Sequence, residues 1–314
     1  GQALNRILFG GTAYGCDSGG DPISIPSLTY EQFKATHEKH YHPSNSKIFL
    51  DGRIDLDKIL PLIDSHLNSY DRRESISLKG KSIPKIHPTS TIKYEISEGE
   101  DEKSKARVLY GYVCSDCLDN QTHLTLSVLC DILCGSNASP LKKDILDLGL
   151  AKDVSMYVVK SRENTLVIEL RDVDENRFDE LDRVIDETIK TTVQNGIEKD
   201  KITSNLNSIE FRLRERDYGT LPTGIVFAMS VYGTWMQGDA PENALLLDDV
   251  VSSVREKIES DHFEKTLYDA TVGNSHRAKL VMLPDKTLGE RNARDEEARL
   301  DAILNAMSEE ELRQ

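Results

Sequence analysis

The spacing of apolar positions divides the chain into helical and extended stretches. Thr29 and Gln32 have the spacing of a capping box and Leu28 with Phe33 that of a hydrophobic staple, so a helix is predicted from residue 30 until Pro43 stops it. Ile48, Phe49 and Leu50 form a short apolar run that predicts a strand. Asp55 then caps a second helix, with Leu56, Ile59, Leu60, Ile63 and Leu67 on one face and a kink at Pro61. Between residues 69 and 91 neither period survives. This stretch is polar and carries Lys79, Gly80, Lys81, Pro84 and Pro88, the composition of an extended linker, and a domain boundary is placed at 71–90.

After the linker the pattern resumes with a strand at 108–113, a helix at 121–134 carrying Leu124, Val128 and Ile132, and a helix at 140–148 ended by Gly149. Runs at 154–159 and 165–170, joined by a polar turn, predict a hairpin. Helical periods follow at Phe178, Leu181, Val184, Ile185 and Ile189, closed by Gly196, then at Leu206, Ile209 and Leu213, then over 245–258, then at Phe263 and Leu267, closed by Gly273. A last strand at 278–283 ends at Pro284. Strands and helices without strict alternation predict an α+β fold, a mostly antiparallel sheet packed in layers against helices.

Residues 291–307 form a charged stretch with an apolar seam of Leu300, Ile303, Leu304 and Met307, which predicts an amphipathic helix in need of a partner. Ser308 and Glu311 then have capping-box spacing, with Met307 and Leu312 at the staple positions. A further helix is thus announced just before the last residue. With no initiator methionine and no signal-peptide pattern at Gly1, the expectation is a piece of a longer polypeptide.

Composition narrows the class. The 314 residues are enough for roughly two domains with their own cores. With 54 acidic against 39 basic residues the formal charge is −15, and a nucleic-acid footprint, which needs a basic surface, is not expected. The longest apolar-rich run, 124–134, contains Asp131 and falls well short of the ~20 residues of a membrane helix, so no membrane insertion is expected.

No catalytic constellation is complete. His37 and His40 lie three apart with Glu38 between them, but neither H-E-x-x-H nor H-x-x-E-H occurs, and the default reading is surface or helix-end histidines. Cys114, Cys117, Cys130 and Cys134 have a spacing compatible with a structural zinc, against which stands the apolar helical context of Cys130 and Cys134, where cysteine behaves as a small core residue. Reduced thiols fit a cytoplasm or an organelle matrix. The loop at residues 135–140 lacks a phosphate-loop ending and reads as a turn with Ser139 as N-cap before Pro140. Arg212, Arg214, Glu215 and Arg216 read as a solvated helix face.

Three ordered strings carry a resemblance. Tyr14-Gly15-Cys16-Asp17-Ser18-Gly19-Gly20-Asp21-Pro22 is followed by Ile25-Pro26-Ser27-Leu28-Thr29-Tyr30-Glu31-Gln32-Phe33 and by Tyr41-His42-Pro43-Ser44-Asn45-Ser46. The series resembles the pitrilysin-type (inverzincin) zinc metallopeptidases, in particular the presequence protease and falcilysin branch. Weaker similarity continues through Ser139-Pro140-Leu141, Leu148-Gly149-Leu150, Arg212-Leu213-Arg214-Glu215, Trp235, Gly238 and Asn274-Ser275-His276.

The resemblance implies four related α+β domains, two on each side of a helical hairpin, closing around a peptide. Residues 1–70 then correspond to the C-terminal part of the catalytic-type domain, 91–285 to the second, inactive peptidase-like domain, and 286–314 to the start of the hairpin. The zinc-binding H-x-x-E-H motif and its distal glutamate would precede Gly1, so this chain is expected to hold no cofactor and to be inactive alone, with zinc in the parent protein. Ser18, Gly19 and Gly20 are the candidate chamber-lining loop. The implied partners are the remaining domains and short unstructured peptides as substrate. Two alternatives stay open: a fragment of a catalytically inactive structural or peptide-binding homologue, and a four-cysteine zinc-binding module.

Overall fold

A computed structural model describes residues 1–74, 76, 85–215 and 218–308. Lys79, Gly80, Lys81, Pro84, Arg216 and the capping box from Glu309 onward lie outside the described residues.

The elements run α1 (Gln2–Leu8), α2 (Tyr30–His40), α3 (Leu56–Leu67), β1 (Thr89–Glu95), β2 (Ala106–Asp116), α4 (Asn120–Cys134), α5 (Pro140–Asp147), β3 (Asp153–Lys160) and β4 (Glu163–Val173). There follow α6 (Phe178–Asn195), α7 (Lys199–Glu215), α8 (Thr223–Trp235), α9 (Leu247–Glu256), α10 (His262–Ala270), β5 (Arg277–Asp285) and α11 (Leu288–Ala306). The five strands make one sheet in the order β1-β5-β2-β4-β3. Only β1 and β5 are parallel, with Thr89 opposite Lys279, and the other three pairings are antiparallel. The fold is α+β, with the predicted 154–170 hairpin realised as β3 and β4.

One sheet face is covered by helices. Val108, Tyr110, Leu166, Ile168 and Met156 project into a core completed by Leu126 and Leu129 of α4, Ile145 of α5, Ile185 of α6 and Phe263 of α10. On the opposite face Leu109, Val113, Val167 and Leu280 meet Leu4, Leu8 and Phe9. Burial from both sides explains why β4 is continuously buried over residues 164–168 rather than alternating. Positive φ at Gly149 and Gly196 marks the ends of α5 and α6 where the sequence predicted them.

Several expectations are corrected. Residues 48–50 are not a strand, because they have no ladder partner among the described residues. The Phe49 amide instead donates to the Tyr232 hydroxyl at 3.1 Å, and that hydroxyl donates to the Lys47 carbonyl at 3.2 Å. The sheet already begins inside the polar stretch: the Ile86 and Pro88 carbonyls accept from the Arg277 and Lys279 amides at 3.0 Å, and β1 follows. The capping box of α2 is present, but Asp55 makes no side-chain cap on α3 and pairs with Lys58 at 2.9 Å. No helix among the described residues is long and apolar enough to cross a membrane.

Candidate functional site

The residues singled out by sequence are dispersed. Ser18, Gly19 and Gly20 form an exposed turn whose bonds are internal: the Gly19 amide donates to Asp17 Oδ1 at 3.0 Å and the Gly20 amide to the Asp17 carbonyl at 3.2 Å. His37 stacks on the Tyr41 ring with centroids 4.7 Å apart, and His42 Nδ1 accepts from the Ser44 amide.

The cysteines belong to the packing of the sheet and α4. Cys117, Cys130 and Cys134 are buried, and the Cys114 thiol donates to the Tyr112 carbonyl at 3.2 Å. Burial pushes the Cys114 and Cys134 thiols up to about 12, which makes them poor nucleophiles. Among the described residues no three His, Cys, Asp or Glu side chains gather as a metal-binding group. These side chains therefore do not fit a zinc ion, and the four-cysteine module is not formed.

The structure assembles two clusters that sequence reasoning missed. In the first, both carboxylate oxygens of Asp182 on α6 accept from Lys279 Nζ at 2.7 Å, and the Tyr110 hydroxyl donates to the same carboxylate. Burial and the Asp182 charge hold Tyr110 protonated by raising it far above its ordinary value. This group ties β2, β5 and α6 together.

The second lies at an 820 Å³ cleft between α4, β3, α8 and α9. Its apolar wall includes Leu124, Ile209, Val250 and three methionines, Met156, Met229 and Met236, while His123, Ser127 and Asp131 face it from α4. Helical spacing brings Asn120, His123 and Ser127 to one side of α4. Asn164 of β4, fully buried, stands behind His123. Its Nδ2 donates to the Asp116 and Asp119 carbonyls at 2.8 and 3.1 Å and to Ser115 Oγ at 3.0 Å, so its Oδ1 is the atom 3.0 Å from His123 Nδ1. Burial lowers His123 below the ordinary imidazole value and keeps it neutral near pH 7. No sequence signal marked this pair, which is 41 residues apart. At the rim Arg212 of α7 donates to Asp131 at 3.1 Å, linking α7 to α4, and Arg214 reaches Asp248 of α9 at 2.6 Å. The charged end of α7 therefore braces its neighbours as well as facing solvent.

The site thus lies in an α+β fold whose sheet is packed against helices on both faces, and its cleft joins a neutral imidazole to an apolar wall. Residues 27–208 match the sequence profile of the family described as the Peptidase M16 inactive domain, and the chain belongs to that family. It is 31% identical over 314 residues to Protein HypA of Clostridium perfringens, covering 99% of this chain and 32% of that protein. It is 28% identical over 322 residues to Presequence protease 1, chloroplastic/mitochondrial, of Arabidopsis thaliana, covering 99% of this chain and 30% of that one. The chain thus spans about a third of the length of these curated relatives. Among solved structures, a peptidase M16 inactive domain from Pseudomonas fluorescens matches with a TM-score of 0.66 at 17% identity over 90% of this chain and 65% of that one. A putative M16-like peptidase from Alicyclobacillus acidocaldarius matches with 0.64 at 18% identity, again over 90% and 65%. At these identities the structural matches speak for the fold.

Proposed function

We propose that the chain is the non-catalytic portion of a zinc-dependent endopeptidase that degrades short unstructured peptides in a closed chamber. The observation that carries this reading is the alignment of 99% of the chain with a presequence protease, together with the inactive-domain match over 27–208. On this reading residues 1–70 are the C-terminal part of a catalytic-type domain, 71–90 a linker, 91–285 the inactive domain and 286–314 the start of a helical hairpin. The loop of Ser18, Gly19 and Gly20 lines the chamber. Since the side chains described here do not fit zinc, the ion and its ligands are assigned to the rest of the longer protein, and no catalytic step passes through this chain.

Unpartnered apolar surface supports the assignment. On α2 and its approach, Leu28, Tyr30 and Phe33 are 58%, 71% and 65% exposed, and α3 has no buried residue despite its apolar face. Burying such side chains would each contribute about 1.5–3 kcal/mol, which the remainder of a catalytic-type domain would supply. Along α11 the seam of Leu300, Ile303 and Leu304 is about half exposed, as one helix of a helical hairpin would be.

The test compares the longer protein with this chain for zinc content and for cleavage of a short unstructured peptide. Stoichiometric zinc and hydrolysis by the longer protein, with neither in this chain, are the expected result. A longer protein without zinc or hydrolysis, or cleavage by this chain alone, would overturn the reading.

A further inference from the structure

The tautomer of His123 follows from the surroundings of Asn164. Two of the three groups that receive Asn164 Nδ2 are backbone carbonyls, which only accept, so the amide cannot be reversed. Its Oδ1 is an acceptor as well, and the proton in the 3.0 Å contact therefore sits on His123 Nδ1. In the neutral ring Nε2 is then an unprotonated acceptor. Among the described residues nothing donates to it, while His123 lines the 820 Å³ cleft.

Beside it stands a cation without a carboxylate. Lys160, the last residue of β3, also lines the cleft and donates through Nζ to Asn120 Oδ1 at 2.6 Å, three positions from His123 on α4. No carboxylate of the described residues lies within ion-pair distance of it, in a chain carrying 54 acidic residues. The acids at the start of α4 are engaged elsewhere, Asp116 with the Leu118 amide and Asp119 with the Thr122 amide. Asp131, the acid on the cleft wall, is paired with Arg212.

An uncovered acceptor next to an unpaired cation, opening onto an apolar wall, is complementary to the last residue of a peptide. Such a residue offers an amide N–H, a carboxylate and a side chain within one unit. Met156, Met229 and Met236 come from β3, α8 and the turn after α8, and their flexible, polarizable thioethers suit apolar side chains of varied shape. The cleft also falls within the 300–1,000 Å³ range in which roughly drug-sized ligands are held.

We propose that this cleft binds the free C-terminus of an apolar peptide: Lys160 Nζ pairs with the carboxylate, His123 Nε2 accepts the terminal amide N–H, and the methionines enclose the side chains. The choice of a peptide rests on the peptidase-family reading above, whose hydrolytic products carry such a terminus. Burial keeps His123 neutral at pH 7, as the acceptor role requires. The groups facing it are Lys160 from β3 and Asn164 from β4.

The probe is an acetylated alanine–leucine–leucine tripeptide with a free carboxylate, compared with its C-terminal amide, titrated into the ¹⁵N-histidine-labelled chain up to about 10 mM. Long-range ¹H–¹⁵N spectra should show His123 protonated on Nδ1, with an Nε2 resonance that shifts saturably as the acid is added. The acid should bind roughly tenfold more tightly than the amide, and Lys160→Met, which keeps most of the apolar stem, should erase that preference while leaving amide affinity unchanged. His276, remote from the cleft, serves as the internal control for folding. No saturable shift, equal affinity of acid and amide, or a preference that survives Lys160→Met would each overturn the proposal. Binding of the acid by this chain together with a longer protein devoid of hydrolysis would sustain the cleft assignment and sink the peptidase reading, so the two failures are distinguishable.

Discussion

Gly111 sits on β2 where α1 crosses the sheet. A Cβ at this position would approach Leu8 Cδ1 to 2.8 Å and Leu4 Cδ2 to 2.9 Å, and both leucines are almost completely buried. Glycine here permits the close approach of a helix rather than a turn. Gly111→Ala is expected to cost about 1–3 kcal/mol through overpacking, read as a lower urea midpoint with an unchanged slope. Combining it with Leu8→Ala, which removes the nearer of the two clashing side chains, should cost less than the sum of the two single changes; simple additivity would refute the contact. At the same scale the sequence was legible where a side chain serves its own turn. Thr29 and Gln32 make both reciprocal bonds, at 3.2 and 3.0 Å. Ser139 occupies the predicted N-cap, yet its hydroxyl accepts from the Ser136 amide at 3.1 Å instead of capping α5. The His123–Asn164 pair was illegible because a contact between α4 and β4 leaves no local trace.

Among the elements, those with one buried face announced themselves, as α6 did with Leu181, Val184, Ile185 and Ile189. Helix α8 did not, because Ile225, Val226, Phe227, Met229 and Val231 surround it without a single apolar stripe. Strand β1 was hidden for another reason: its first residues fall in the polar stretch that reads as linker, and only Ile92 and Tyr94, just beyond it, alternate with polar residues. At the other end of the sheet, the placement of α11 depends on one carboxylate. Asp285 Oδ1 accepts from the Thr287 amide and hydroxyl, both at 2.9 Å, while Oδ2 accepts from Lys93 at 2.8 Å and Arg291 at 2.7 Å. Hydrogen bonds from Lys93 and Arg291 hold this carboxyl well below the ordinary range. β1, the end of β5 and the first turn of α11 are thus joined at one point, which fixes the direction in which α11 leaves the domain. Asp285→Asn retains the acceptor for Thr287 but removes the charge, and amide exchange over residues 287–295 should become severalfold faster while β2 and β4 stay protected. Unchanged exchange in that segment would show that α11 is oriented by something else.

Across the whole molecule, three histidines on different elements are held neutral: His123 on α4, His262 on α10 and His276 before β5. Burial is the main cause in each case, and each ring is also placed by a specific bond. His262 Nε2 lies 3.1 Å from Thr125 Oγ1, and His276 Nε2 lies 3.2 Å from the Leu8 carbonyl, to which it must donate. An imidazole whose folded value is depressed binds its proton more readily in the unfolded chain. The unfolded state takes up protons as pH falls through about 6.5, the folded state only at lower pH, and stability is lost in between. It is fully present above that range. The −15 charge acts in the opposite sense, since acidification relieves mutual repulsion among the carboxylates. The two are separable through His276→Gln, whose amide can still donate to Leu8 but cannot titrate. Between pH 8 and pH 5 the urea midpoint of the unmodified chain should fall more steeply than that of the variant, with the two curves parallel above pH 7. Parallel curves throughout the range would mean that His276 contributes nothing to the acid sensitivity, and that docking of α1 on the sheet is independent of its protonation.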